Sequence, residues 1–504
     1  MATKLEDKNF SRIAIKNFGY QFSSVFILKL GGVLLTIILA RLLLPELFGI
    51  YGLVLSIITL AISFTDLGIT ETALTYISKS IGNNKKDKAR SYFRFFLRIK
   101  GLFTIIVILI ILLFSHYLSF SIFKKPEIFL PLIIASIYVL VESFRGYITI
   151  WFAATKNLKP IAPLEFIIQI AKIVLSVIAI SILSDNLKIS GVFLAFSIAG
   201  IIYFIISLLI VLRKDKLFLI GKIIQVDTKK AIKFLTFMGF VIIFLTLLGS
   251  VDTLMLGVFV SSEFIGYYRA ALGLITSVAA LFSFSQILLP MFTQIRRERL
   301  ERGISKTYRY IVIISVPAIF GIILISKYLI YALYGSSYLL SFNSLIILSP
   351  LLIIAPLISL YSTIFKARER PKELSKMMFY SLIINIVLNY VLITYLLRFG
   401  ERYAILGAGL ATVLSQMFLL FLLSNKTSKS LKVKIGEMGF GRAFLSSIVM
   451  SIFLFIFIRY IDMNLLSGII GVLLSIGIYI LFMFLFKGIN KEDFKLLNYL
   501  KPNA

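Results

Sequence analysis

The chain has 504 residues and is 59% hydrophobic, with a mean hydropathy of +0.99, a formal net charge of +30 and no cysteine. That apolar share exceeds what a water-facing surface tolerates, and the lack of cysteine excludes disulfides and thiolate metal sites. The basic residues fall in short bursts between apolar runs rather than among stacking aromatics, which speaks against a nucleic-acid partner.

A helix needs about 20 apolar residues to cross the hydrocarbon, and lipid satisfies no backbone polar group, so helices or closed barrels are the only spanning solutions. The runs here are too long and continuous for barrel strands. Spans are predicted near residues 21–43, 47–76, 92–115, 129–153, 161–183 and 189–212. Six more follow near 234–259, 264–292, 309–331, 341–366, 374–397 and 403–424, and a last pair near 441–460 and 464–487. The expected fold is therefore an all-α integral membrane protein of about fourteen transmembrane helices.

Alternate connectors are basic: Lys85, Lys86, Lys88 and Arg90; Arg213, Lys214 and Lys216; Arg296, Arg297 and Arg299; Arg368, Arg370 and Lys372; Lys426, Lys429 and Lys432. The connectors near Pro45, Asp185, Ser261 and Gly335 carry almost none. By the positive-inside rule both termini, with Lys4, Lys8 and Arg12 at one end and Lys491, Lys495 and Lys501 at the other, are expected in the cytoplasm of a cell membrane.

The two six-helix blocks read as copies. Pro45-Glu46-Leu47-Phe48-Gly49-Ile50-Tyr51 between the first two spans has its counterpart in Ser262-Glu263-Phe264-Ile265-Gly266-Tyr267-Tyr268, and Gly191, Leu194 and Ala195 are matched by Gly407, Leu410 and Ala411. Both blocks begin on the basic side, so the repeat is parallel. The expected division is a first lobe at 1–215, a second at 216–430, and a final helix pair with its tail at 431–504.

Ala40-Arg41-Leu42-Leu43-Leu44, the Pro45–Tyr51 segment, Asp66-Leu67-Gly68-Ile69, and Asp252 with Gly257 and Gly266-Tyr267-Tyr268 together resemble the polysaccharide flippases (Wzx type) of the multidrug/oligosaccharidyl-lipid/polysaccharide exporter superfamily. The resemblance covers nearly the whole chain, final helix pair included. It implies two lobes with alternating access that move a polyprenyl-diphosphate-linked sugar to the outer leaflet for cell-surface polysaccharide, alongside polysaccharide-assembly proteins. It implies no cofactor and no catalysis.

Ionisable residues within a span are costly and are read as functional unless paired. Ser56, Thr59, Ser63, Asp66 and Thr70 recur at helical spacing, as do Tyr138, Glu142, Arg145 and Thr149, and Glu165, Gln169, Lys172 and Ser176. Lys29, Arg145 and Lys172 are the cations expected to neutralise a diphosphate. Thr59, Ser63, Asn385 and Asn389 are expected to bond sugar hydroxyls. Asp66, Glu142, Glu165 and Asp252 are the acids expected to carry H+ or Na+, unless voltage alone drives the step.

The plainer alternative pairs Glu142 with Arg145 and Glu165 with Lys172 as structural struts. Asp66 has no partner on its own helix. The second block is poorer in charge, with Ser283 where the first has Asp66. Two rival functions are an ion-coupled drug exporter of the same superfamily and a membrane glycosyltransferase or polymerase. The first wants an acidic, aromatic cavity, and the second a metal-binding acidic cluster or a long outer loop. His116 is expected in an outer loop and Trp151 as an interface anchor.

Overall fold

The computed structural model describes residues 2–155, 157–214, 224, 228–283, 297–368, 370–430 and 440–488. Lys216, Arg296, Lys432, Lys491, Lys495 and Lys501 therefore lie outside the described residues. The helices are α1 (Ala2–Asp66), α2 (Ile69–Gly82), α3 (Lys86–Tyr117), α4 (Phe129–Ala154), α5 (Ile161–Ile182), α6 (Asp185–Lys214), α7 (Thr228–Leu248) and α8 (Val251–Phe259). They continue as α9 (Ser262–Leu281), α10 (Arg297–Tyr334), α11 (Ser341–Leu348), α12 (Leu351–Ala367), α13 (Pro371–Leu397), α14 (Glu401–Ser430), α15 (Phe440–Tyr460) and α16 (Leu465–Leu485). No strand occurs among the described residues.

Eleven apolar helices are long enough to cross a bilayer, and two pairs bent by 44° and 42°, α7 with α8 and α11 with α12, meet the same measure when each is taken as one span. The first of the eleven runs 58 residues from Val25 to Gly82, which at 1.5 Å per residue is far longer than one crossing. It breaks at Leu44, whose backbone is non-helical (φ 59°, ψ 170°), and Pro45 opens the next segment, where its missing N–H costs nothing. Divided there, and with each bent pair taken as one, the described residues hold fourteen candidate spans, the number expected from hydropathy; residues 284–292 of the span expected at 264–292 lie outside them. A second interruption follows Asp66. Leu67 (φ 41°) and Gly68 (φ 81°) turn the chain before α2, a conformation that glycine adopts without a Cβ penalty.

The chain forms two compact units, Met1–Gly273 with Glu369–Ser415, and Leu274–Arg368 with Gln416–Ala504. In the first, α1 packs on α5, α4 and α5 pack on α6, and α7 lies on α13. Its core near the basic connectors is aromatic: Phe93, Phe96, Tyr147, Trp151 and Tyr203 are all buried. Trp151 meets the edge of Phe93 at 5.8 Å, so it is a core residue and not the interface anchor expected. His116 falls in the last turn of α3, stacked on Phe120 at 4.5 Å, and not in a loop.

The repeated segments of the first unit meet directly. A Cβ on Gly49 would collide with the Ser262 carbonyl, and one on Gly266 with the Pro45 carbonyl. Each copy thus needs its glycine where the other copy's backbone passes. Beside them Lys125 donates to the carbonyls of Gly257 and Val260, both at 2.9 Å, closing the C-terminus of α8 with a cation, as the helix dipole favours.

In the second unit α15 packs on α10 and α16, around Val312, Val316, Met450, Tyr479 and Met483. Arg309 and Arg442 donate to the carbonyls of Gly488 and Lys487, both at 2.8 Å. Two cations from different helices therefore cap the end of α16. Apolar residues such as Leu113, Ile182 and Leu466 stay exposed, the belt a lipid solvent requires.

Candidate functional site

Within the first unit α3, α4 and α5 bring most of the buried charge together. Arg145 is held by two carboxylates. Its Nε donates to Glu142 Oε2 at 2.8 Å, its Nη2 to Glu142 Oε1 at 2.5 Å, and its Nη1 to Glu165 Oε1 at 3.2 Å. The guanidinium carbon lies 5.0 Å from the Tyr203 ring centre. Three of its five N–H donors are thus committed. The expected Glu142–Arg145 pair is present, one turn apart on α4.

The expected Glu165–Lys172 strut is not. Glu165 gives its charge to Arg145 on the neighbouring helix. Lys172, two turns further along α5, lies between aromatic faces instead, its Nζ 5.3 Å from the Tyr138 centroid and 5.1 Å from that of Phe196. Its one hydrogen bond among the described residues is a long one, 3.4 Å, to the Tyr138 hydroxyl. Cation–π contact stabilises an ammonium by about 0.5–2 kcal/mol without cancelling its charge.

Lys29 lies on α1, which packs against α5; a Cβ on nearby Gly31 would strike the Gln169 side chain. Lys29 is half-buried and makes no hydrogen bond or ion pair among the described residues. One turn before it, Val25 lines a cavity of about 290 Å³ together with Arg145, Thr149, Leu158, Ile161 and Glu165. That volume is at the lower edge of the ~300–1,000 Å³ range of ligand pockets.

Asp66, without a partner on α1, is paired from α3. Lys100 of α3 donates to its Oδ1 at 2.7 Å, and the Thr70 hydroxyl donates to the same atom. Lys100 is 2% exposed, so this is a buried ion pair across a helix contact. Read along the chain alone, Lys100 is the tail of the basic burst that begins at Lys85, and it is absent from the expected site. A signal for it is present: Phe93, Phe96, Lys100, Thr104, Val107 and Ile111 form the buried stripe of α3 at three- and four-residue spacing. The neighbouring Thr65 and Ser143 hydroxyls share a 2.6 Å hydrogen bond that ties α1 to α4.

On the α1 stripe Ser56 and Ser63 are buried and Thr59 is exposed; each hydroxyl donates to a carbonyl of its own helix, at 2.9, 2.7 and 2.7 Å. Asn385 and Asn389 of α13 are 1% and 0% exposed. Asn385 Nδ2 donates to Ser415 Oγ at 2.9 Å and Asn389 Nδ2 to the Asn385 carbonyl at 3.0 Å, while neither carboxamide oxygen accepts a hydrogen bond. Ser415 is linked onward through the Thr412 carbonyl, and Thr412 donates to Asp252 Oδ2 at 3.2 Å.

Asp252, 1% exposed, also accepts from the Tyr268 hydroxyl and from the Thr253 amide at 2.8 Å. Asp252, Thr412, Ser415 and the two asparagines thus form one buried polar chain, with two oxygen acceptors left over. The repeated motif marks Tyr268 in the sequence, and no comparable pattern marks Thr412. No group of three or more histidine, aspartate or glutamate side chains able to hold a metal occurs among the described residues.

Solved structures share this fold. The lipid II flippase MurJ in an inward closed conformation superposes with a TM-score of 0.67 at 17% identity, over 92% of this chain and 98% of that one. A multidrug resistance MATE family transporter of the MOP superfamily, in its inward-facing conformation, gives a TM-score of 0.56 at 14% identity, over 81% of this chain and 96% of that one. The probable low-salt glycan biosynthesis flippase Agl15 of Haloferax volcanii is 26% identical over 259 residues, 50% of this chain and 53% of the relative, so the match spans about half of each protein. The family model described as "Polysaccharide biosynthesis protein" matches residues 14–296. With more than half of its length under that model, a set of helices long and apolar enough to span a bilayer, and charge gathered inside the helix bundle, the chain belongs to the polysaccharide biosynthesis protein family.

Proposed function

We propose that the protein flips a polyprenyl-diphosphate-linked oligosaccharide from the cytoplasmic to the outer leaflet of the cell membrane by alternating access. The observation that carries this reading is the unequal pairing of buried charge in the first unit. Glu142, Glu165 and Asp66 are each met by Arg145 or Lys100, while Lys172 and Lys29 face no carboxylate at ion-pair distance among the described residues. An anion at mid-membrane costs several kcal/mol even on lenient scales, and the four cations Lys29, Lys100, Arg145 and Lys172 outnumber the three acids Asp66, Glu142 and Glu165 by one, which lowers that cost. In this reading Lys172 and Lys29 attract the diphosphate as point charges. Arg145 contributes its remaining donors and is oriented by Glu142 and Glu165. Thr59 and Ser63 serve the sugar, and the prenyl chain stays in lipid. The basic connectors face the cytoplasm, with both termini on that side, and the lobes 1–215 and 216–430 are the bodies that alternate.

The polar chain from Asp252 to Asn389 is suited to a coupling ion. A buried carboxylate with orphaned carboxamide oxygens nearby is a poor neighbour for lipid and a good one for H+ or Na+. Asp66, Glu142 and Glu165 are in ion pairs and are weaker carriers. Every step is binding and movement, and none requires bond making. Likeness in fold to MATE transporters supports drug or cation export as the second reading; the single net positive charge of this group, counted with Lys29, favours the anion.

The test is reconstitution in vesicles with a labelled lipid-diphosphate sugar followed from each leaflet. Lys172→Ala and Lys29→Ala should each slow appearance at the far leaflet by tenfold or more. Rates equal to wild type in both variants would remove the basis of the proposal.

A further inference from the structure

A second cavity lies at the basic end of the first unit, away from the charged cluster. It measures about 250 Å³ and is lined by Lys86 at the start of α3, Arg90 one turn on, Lys214 at the end of α6, and Thr155 and Asn157 of the α4–α5 connector. Its floor is apolar, from Trp151, Phe152 and Val211. The same connector separates it from the Arg145 cavity, since Leu158 and Ile161 face the other side. Among the described residues, three cations and no carboxylate line this space. Asp87 holds Arg90 at 2.8 Å from outside the lining. Lys86 and Lys214 are exposed and make no ion pair among the described residues.

We infer that this cavity is a binding site for a phosphate group at the membrane surface, namely the headgroup phosphate of an anionic phospholipid. Three features support the assignment. The cavity sits where α3, α4 and α6 end, at headgroup depth for helices that span the bilayer. Its volume equals roughly eight water molecules at ~30 Å³ each, room for a phosphate with the glycerol beside it. Its make-up, cations at the rim and aromatic and aliphatic surface below, matches a headgroup that is charged at one end and apolar at the other. Basic pockets between transmembrane helices take anionic headgroups for this reason. The site serves no step of the proposed transport cycle and stands whether or not that reading holds.

Native mass spectrometry of the full chain purified with phosphatidylglycerol tests the inference. Each interfacial cation contributes about a fivefold change in affinity, so Lys86→Gln with Lys214→Gln should lower phosphatidylglycerol retention by roughly twenty-five-fold. A control pair, Lys372→Gln with Lys429→Gln, should leave it unchanged. Displacement of the lipid by inorganic phosphate in wild type would show that phosphate alone is recognised; retention against phosphate, together with loss in the double variant, would assign recognition to the whole headgroup. Equal retention in wild type and the double variant, or equal loss in the control pair, overturns the site. Far-leaflet delivery in the vesicle assay is expected to persist in the double variant, which separates this site from Lys172.

Discussion

The ammonium group of Lys172 lies 5.3 Å from the Tyr138 ring centre, while Glu165, seven residues earlier on the same helix, is bound to Arg145. One helix thus carries an acid in an ion pair and a cation held between aromatic faces with no carboxylate at ion-pair distance among the described residues. Removing a face while keeping the cation should therefore alter the site. Tyr138→Phe retains the ring and loses only a 3.4 Å hydrogen bond, so transport should fall by no more than about twofold. Phe196→Ala removes one cation–π face, and by the ~0.5–2 kcal/mol of such contacts should weaken headgroup binding about two- to thirtyfold, read as a rise in half-saturating substrate.

Asp66 and Lys100 make a different kind of pair. Breaking a buried ion pair from one side leaves an uncompensated charge and costs about 3–5 kcal/mol, whereas replacing both partners by apolar groups of similar size is often neutral. Lys100→Met alone should lower the thermal midpoint of the purified protein markedly, and Asp66→Leu with Lys100→Met should recover most of the loss. If the double variant retains transport, Asp66 is not the ion carrier.

Gly49 and Gly266 allow close approach of the repeated segments, and each is opposed by backbone, which cannot give way as a side chain would. Gly49→Ala should hold these segments apart. The chain has no cysteine, so Ser56→Cys, at a position 2% exposed, is a unique reporter. It should resist a maleimide reagent in the parent and react in the Gly49→Ala background. Equal protection in both would show that the contact does not control access.

Lys125 supplies a pH dependence outside the spans. Burial pushes its ammonium below the usual lysine range, against the opposing pull of Glu401 and Glu127. With the folded value depressed, the folded chain releases this proton before the unfolded one, so stability rises with pH from the folded value up to the ordinary lysine value near 10.5. Midpoint temperatures across that alkaline interval should climb more steeply for wild type than for Lys125→Met. The variant should also be less stable throughout, having lost two hydrogen bonds to the end of α8.

Asp252→Asn separates coupling from passage. It should abolish stimulation of transport by an inward proton or sodium gradient while leaving flipping under a fixed membrane voltage nearly intact. A variant still stimulated by the gradient would assign coupling elsewhere.

Much of this was legible in the sequence because lipid imposes a single solution on the backbone. Hydropathy alone placed the spans, Pro45 marked the break in α1, and the i,i+3 spacing of Glu142 and Arg145 predicted a pair that is present. Partner choice across helices was not legible. Glu165 binding Arg145 rather than Lys172, and Lys100 reaching Asp66, depend on how two helices are rotated and shifted against each other, which periodicity within one helix does not encode. For the same reason Asn385 and Asn389 were expected to face sugar hydroxyls, whereas they are fully buried in the hydrogen-bonded chain that leads to Asp252.

The turn at Leu67 and Gly68 immediately follows Asp66, so the electrostatic partner of Lys100 sits at a mechanical joint. Beyond it α2 is a lever of 14 residues, about 21 Å at 1.5 Å per residue. Because α2 packs on α3 and α4, any movement at that joint is shared with the helix that carries Lys100.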